Sequence, residues 1–393
     1  MKIHFPHSVL VLLIPACLAL LIGVASPASA EKPKTPGAAQ LNPQGFSASA
    51  ECGKCHADIY AAWKNSLHAQ ASDNSVFQTA FLQSYFERGE PARQLCLTCH
   101  APIAGINNDL KLAQPLTREN INCDFCHSIA EVLPGFNGPH YKFAFGLLKQ
   151  GPRPQADVRI HTTRTNEAFS QSRYCAGCHE MDLPNGVKLI GTFSEWQASP
   201  YARENTHCQN CHMPKIPGKI VNDPSVPEQK ISGHDIAGGH SISKREEAID
   251  IAITDVSRYK NKLTVSVNVT NKGAGHKLPT GLPSKKIVLQ VTVQSRSGGP
   301  NMRQEKTYQK MLVDAGGAAV TLDADLMLGK GVTIASDNRI APQETRREQF
   351  TFFVPEGETY KISAAAFYNH SPRIVQAAEI HLKLKEVHTQ TGP

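Results

Sequence analysis

The chain has 393 residues, 40% apolar and 19% charged, with a formal net charge of +7. That balance excludes an intrinsically disordered chain and a bundle of membrane spans. No basic cluster suited to a phosphate backbone occurs, so a nucleic-acid partner is not expected. What sets the class is the placement of the 11 cysteines.

Met1 to His7 carries Lys2 and is followed by an apolar run from Val9 to Ala25, with Ala28-Ser29-Ala30 as a small-residue cleavage site. Residues 1–30 therefore read as a signal peptide, and the mature chain as exported, periplasmic or at the cell surface. The apolar run contains Pro15 and is short for a span of about 20 residues. A retained anchor, or lipoprotein-type cleavage at Cys17, is the alternative. Residues 31–50 are rich in Pro, Gly and Ala and read as a flexible lead-in.

Residues 51–243 hold the other ten cysteines as five pairs, each pair followed at once by histidine. The pairs are Cys52/Cys55 with His56, Cys96/Cys99 with His100, Cys123/Cys126 with His127, Cys175/Cys178 with His179, and Cys208/Cys211 with His212. A disulfide framework has no reason to place His after every second Cys, and zinc ribbons carry no obligate trailing His. Cys-x-x-Cys-His is the attachment signature of c-type haem: two thiols bond the porphyrin and the adjacent His becomes the proximal iron ligand. Five covalent haem c groups are expected, supplying much of the core of a mostly helical and loop domain. Met213 to Lys230 contains four prolines and should hold no helix.

The sixth iron ligand separates electron transfer from substrate chemistry. Six histidines outside the motifs are candidate distal ligands, of which at most five are needed. His68 lies twelve residues after His56 on a helix expected over Asp58 to Ala71. His140 follows Gly138-Pro139, and His161 stands alone. His234 and His240 flank a segment with two glycines, where backbone can pass close to a flat macrocycle. His276 lies in the polar loop from Gly273 to Gly281. His207 directly precedes Cys208 and reads as a surface residue, and His370, His381 and His388 as solvent-exposed.

From residue 244 to 393 the texture changes. Leu263, Val265, Val267 and Val269 alternate with polar residues, as do Ile287 to Val293, Phe350 to Val354, Ile362 to Tyr368 and Ile380 to Leu384. Period-two runs between Gly, Pro and Asn turns predict an antiparallel β-sandwich. The fold class expected is thus mixed: a haem-rich, mostly helical domain followed by a β-sandwich.

The run Cys52-x-x-Cys-His-x3-Tyr60-x2-Trp63-x2-Ser66-x-His68-Ala69 resembles multihaem c-type cytochromes of the cytochrome c-554 type. So does Thr192-Phe-Ser-Glu-Trp196-x3-Pro200-Tyr201, which leads into Cys208-Gln-Asn-Cys-His-Met-Pro214. The segment Gly275-His276-Lys-Leu-Pro-Thr-Gly281 resembles a β domain appended in bacterial multihaem cytochromes. The resemblance implies a distal-ligand role for His68, and a periplasmic or surface electron carrier with enzymatic relatives acting on nitrogen or sulfur compounds. Five motifs and a β domain depart from the four-haem member. No motif is the Cys-x-x-Cys-Lys variant of the pentahaem nitrite reductases.

The function expected is electron transfer through closely packed, mostly bis-His haems between a redox protein donor and acceptor. A membrane-associated electron-transfer complex and self-association are compatible settings. Two alternatives stand beside it: an oxidoreductase with one open haem acting on a small nitrogen or sulfur compound, and a protomer of a haem filament.

Overall fold

A computed structural model describes residues 39–133, 140–156, 158, 160–370 and 380–391. The expected signal peptide and the first part of the lead-in lie outside the described residues. Ala38–Pro393 forms one compact unit. Among the described residues no helix is long and apolar enough to cross a membrane.

The first half is built from short helices and two-stranded ribbons. The helix Ser75–Arg88 starts where the Asn74 side chain accepts from Phe77 N, and stops at Gly89, whose φ of 62° favours glycine. Pro91 sits in the first turn of the next helix, Glu90–His100, where its missing N–H costs nothing. The lead-in, expected to be free to residue 50, is instead packed near its end. Phe46 is 3% exposed among Phe125, Phe143 and Phe145, and Ser47 N donates to Asp124 Oδ2 at 2.6 Å. His68 does not lie on a long helix either. The helix Ala57–Lys64 ends at Asn65, and His68 sits in the turns that follow, where Ala69 N donates to Ser66 Oγ at 3.2 Å. The proline-rich stretch after Met213 contains no helix, as expected. It adds a ribbon, Lys215–Gly218 against Gln229–Ser232.

In the second half all five alternating runs form strands, and two further strands complete the sheets. Thr345–Phe353, Lys262–Asn271 and Ile249–Tyr259 form a three-stranded antiparallel sheet. Met302–Tyr308, Lys285–Ser295, Tyr360–His370 and Ile380–Gln390 form a four-stranded one. Alternation sends Val265, Val267, Leu289, Val291, Phe350 and Ile362 into one shared apolar cluster. Leu382 departs from its expected inward face and is exposed. The strand Met302–Tyr308 escapes the pattern because it is an edge bearing Arg303, Glu305 and Lys306, charges that discourage pairing with another chain. Leu289 is wholly buried, so Leu289→Ala should cost about 2–5 kcal/mol. Denaturant unfolding followed by circular dichroism would measure it, and a loss below 1 kcal/mol, on the order of a surface substitution, would contradict this packing.

The two halves are joined by polar bonds. Lys310, buried, donates from Nζ to the carbonyls of Lys188 and Leu189 at 3.0 and 2.7 Å. Burial, aided by the positive charge of Arg339, pushes Lys310 down to about 8. Between about pH 8 and the ordinary lysine value near 10.4, the unfolded chain keeps a proton that the folded chain has lost. Stability should therefore gain from this group as pH rises through that window, and Lys310→Met should abolish the gain. Unfolding of both proteins at pH 7.5 and 9.5 checks this; identical pH dependence would refute it.

Candidate functional site

Each Cys-x-x-Cys-His run closes one helical turn. In a helix, residues i, i+3 and i+4 share a face, so two thiols and one imidazole emerge together. Four of the five runs end a helix at His: Glu90–His100, Cys123–His127, Arg173–His179 and Cys208–His212. In the first run His56 N and Cys55 N both donate to Cys52 O, which winds the same turn before the helix Ala57–Lys64. Asn122 caps the third motif by accepting from Phe125 N at 2.7 Å. His207 caps the fifth: its own N–H donates to Asn210 Oδ1 at 2.7 Å, while Ser172 N lies 3.2 Å from its Nδ1. His207 is thus a half-buried structural residue, its ring tilted against Trp196 with centres 5.3 Å apart, and not the surface residue expected.

All ten cysteines and all five following histidines line one continuous cavity of about 1760 Å³. Across that cavity four imidazoles face motif imidazoles at nearly constant spacing. His161 faces His56 at 6.2 Å between ring centres, and His68 faces His179 at 6.3 Å. His234 faces His127 at 6.5 Å and His276 faces His212 at 6.4 Å, the last pair only 11° from parallel. Two imidazoles on opposite sides of one metal, each nitrogen about 2 Å from it, leave ring centres about 6 Å apart. The spacing therefore fits one metal between each pair.

Hydrogen bonding leaves the second ring nitrogen available. Nδ1 of His56, His100, His127 and His212 meets the carbonyls of Ile220, Ala71, Gln150 and Ala237 at 2.5, 2.8, 2.7 and 2.6 Å. His234 and His276 do the same with Ser232 and Lys277 at 2.8 and 3.0 Å. An Nδ1–H held by a carbonyl fixes the tautomer with Nε2 unprotonated, the form that binds a metal. Burial pushes His68 and His127 down to about 4 and His179 to about 3, so these rings stay neutral.

Sequence reasoning placed six candidates opposite the motifs, and the fold brings four of them there. His140 is exposed and is absent from the cavity wall. His240 borders the cavity but is exposed and faces no motif imidazole among the described residues. His100 accordingly has no facing imidazole among the described residues. Its neighbour is Phe77 at 4.2 Å, too close for a metal and macrocycle to lie between them, so Phe77 flanks the ring. Phe77, Phe81 and Tyr85 stack along one face of their helix at 5.6 and 6.1 Å. His381 and His388 are exposed as expected. His370 is not: it is buried on the cavity wall with Nε2 3.0 Å from Asp323 Oδ2, because a strand end that looks polar is covered by the helix Asp323–Met327.

The thiols also report which motifs are neighbours. Cys52 adjoins Cys123, Cys99 adjoins Cys178, and Cys175 adjoins Cys208. Tyr174 Oη donates to the Cys126 carbonyl at 2.8 Å, joining the third and fourth motifs. Burial pushes the Cys96 and Cys126 thiols up to about 11, so neither is a free reactive thiolate at neutral pH.

The family described as cytochrome c554 and c-prime matches residues 51–128, the span of the first three motifs. No curated protein matches the sequence. Among solved structures, a penta-heme cytochrome c552 from Thermochromatium tepidum is similar at 22% identity and a TM-score of 0.69. The match covers 88% of this chain and 99% of that one, so the fold is shared. A β-glucosidase from Kluyveromyces marxianus matches 37% of this chain and 15% of its own, at 12% identity and a TM-score of 0.16, too low to carry an argument.

Proposed function

We propose that this chain, a multihaem c-type cytochrome related to the cytochrome c554 type with an appended β region, is an exported electron carrier holding five haem c groups. Haem c supplies one-electron exchange between ferric and ferrous iron; the chain anchors, orders and tunes each group. The ten motif cysteines provide the thioether links and His56, His100, His127, His179 and His212 the proximal ligands. His161, His68, His234 and His276 are the distal ligands of the first, fourth, third and fifth motifs. The observation that carries this reading is the repeated 6.2–6.5 Å spacing of four imidazole pairs across one cavity.

Thiol proximities set the order of transfer. The first motif adjoins the third, Tyr174 links the third to the fourth, and the fourth also meets the second and the fifth. The fourth motif is then a junction from which electrons reach either end. The two large antiparallel sheets make a β-sandwich whose first task is to supply His276. Redox proteins outside the cytoplasm are the donor and acceptor.

A second reading, reduction of a small nitrogen or sulfur compound, draws on His100, which faces no imidazole among the described residues. An iron bound there would keep one position open. Mass spectrometry of the matured protein should show five haem additions. The ferric absorption and electron paramagnetic resonance spectra should show four low-spin irons and one high-spin iron. Fewer than five haems would overturn the carrier reading, and five low-spin irons would remove the second.

A further inference from the structure

The loop that carries His276 is fastened at every residue from 276 to 280. Asn271 Nδ2 donates to the His276 carbonyl at 2.8 Å. Lys277 N donates to Glu195 Oε2 at 3.3 Å, and Thr280 Oγ1 to the same oxygen at 2.7 Å. Leu278 and Ile340 exchange backbone bonds of 2.9 and 3.0 Å, and Arg339 Nη1 reaches the Pro279 carbonyl at 3.2 Å.

One ion pair closes this set. Arg339 and Glu195 lie 2.6 Å apart with side chains 5% and 7% exposed. Arg339 also clasps Asp337 through Nε and Nη2 at 2.8 and 2.9 Å, a planar fork matched to a carboxylate. Asp337 in turn takes Lys277 Nζ at 2.9 Å. Glu195 does not belong to the β region. It sits on the helix Thr192–Gln197, whose neighbour Trp196 donates from Nε1 to the Thr206 carbonyl at 2.8 Å, just ahead of the fifth motif. Glu195 therefore ties the loop to the segment that presents His212.

We propose that Arg339 and Glu195 are positioning residues that hold His276 opposite His212, so that the sixth ligand of the fifth haem depends on the β region being docked. This rests on the assignment of His276 as a distal ligand. A ligand must be placed to within about 0.5 Å. A loop containing Gly273 and Gly275 lacks the side chains to do this alone. The neighbouring chain segment supplies the reference through one carboxylate, and the guanidinium keeps that carboxylate in place.

The test uses the fully matured protein and three variants, Arg339→Met, Glu195→Gln and His276→Ala. Arg339→Met should turn high-spin the same single iron that His276→Ala turns, with haem content and the other signals unchanged. Glu195→Gln keeps an acceptor for Thr280 and should convert only part of the population. Added imidazole should restore the low-spin signal in all three, which a general loss of structure would not allow. If His276→Ala leaves the spectrum unchanged, the ligand assignment itself falls. If His276→Ala changes one iron while Arg339→Met and Glu195→Gln change none, the positioning role alone is overturned. Should Arg339→Met fail to accumulate, Thr280→Val takes its place, and an unchanged spin state in it and in Glu195→Gln has the same meaning.

Discussion

His68→Ala should leave all five haems covalently attached and turn one iron high-spin, namely the iron of the fourth motif. His68 faces His179 across 6.3 Å from a turn that follows the helix Ala57–Lys64, more than one hundred residues away in sequence. Alanine has no donor atom, and the thioether bonds and His179 are untouched. Loss of an imidazole that favours ferric iron should raise that haem's potential. The substitution also cuts a tie between the first segment and the fourth motif. The thermal midpoint should therefore fall by about 2–4 °C, the shift expected for a loss near 1 kcal/mol in a domain of moderate size. Ferric spectroscopy and potentiometric titration read the outcome. An unchanged low-spin spectrum at full haem content would make His68 an ordinary histidine and remove it as the sixth ligand of the fourth motif.

A second large effect is expected at Asp124, the residue after Cys123 in the third motif. Its buried carboxylate accepts from Ser47 N at 2.6 Å and Ser128 Oγ at 3.1 Å, and pairs with Lys149, itself nearly buried. Asp124→Ala strands the Lys149 ammonium without a counter-charge and leaves Ser47 N without its acceptor. Breaking one side of such a pair costs about 3–5 kcal/mol, much of it the penalty of the orphaned charge. Adding Lys149→Met should therefore recover most of the loss, because the double change removes both charges at once. Denaturant unfolding of the two variants measures this. If the double variant is as unstable as Asp124→Ala, the ion pair is not the source of the cost.

The site residues fall into two groups according to how far apart in the chain their partners lie. The motif cysteines and histidines act within a single helical turn, so spacing alone reveals them. The same holds for the strands at Lys262–Asn271 and Lys285–Ser295, where every second residue is apolar and the period is local. The histidines that face the motif rings are different. His161 meets His56, and His276 meets His212, across long separations, and nothing in the chemistry of one histidine names its partner. In sequence His140, after the rigid Gly138-Pro139 turn, reads as a better candidate than His161, yet His140 is exposed and His161 faces a motif ring. Glu195 is legible only as part of the run Thr192-Phe-Ser-Glu-Trp196, and Arg339 carries no local signal at all.

By itself the sequence determined the attachment chemistry, the number of motifs and the division between helical and alternating texture. All of these are set by contacts between residues no more than a few positions apart. Only the tertiary structure decided which imidazoles face each other, that His370 is buried against Asp323, and that His207 caps the fifth motif. It also decided that one motif histidine faces no imidazole among the described residues. Those outcomes depend on how distant segments close around one cavity. Burial and pairing there belong to the assembled fold, and a single stretch of chain carries no local pattern that encodes them.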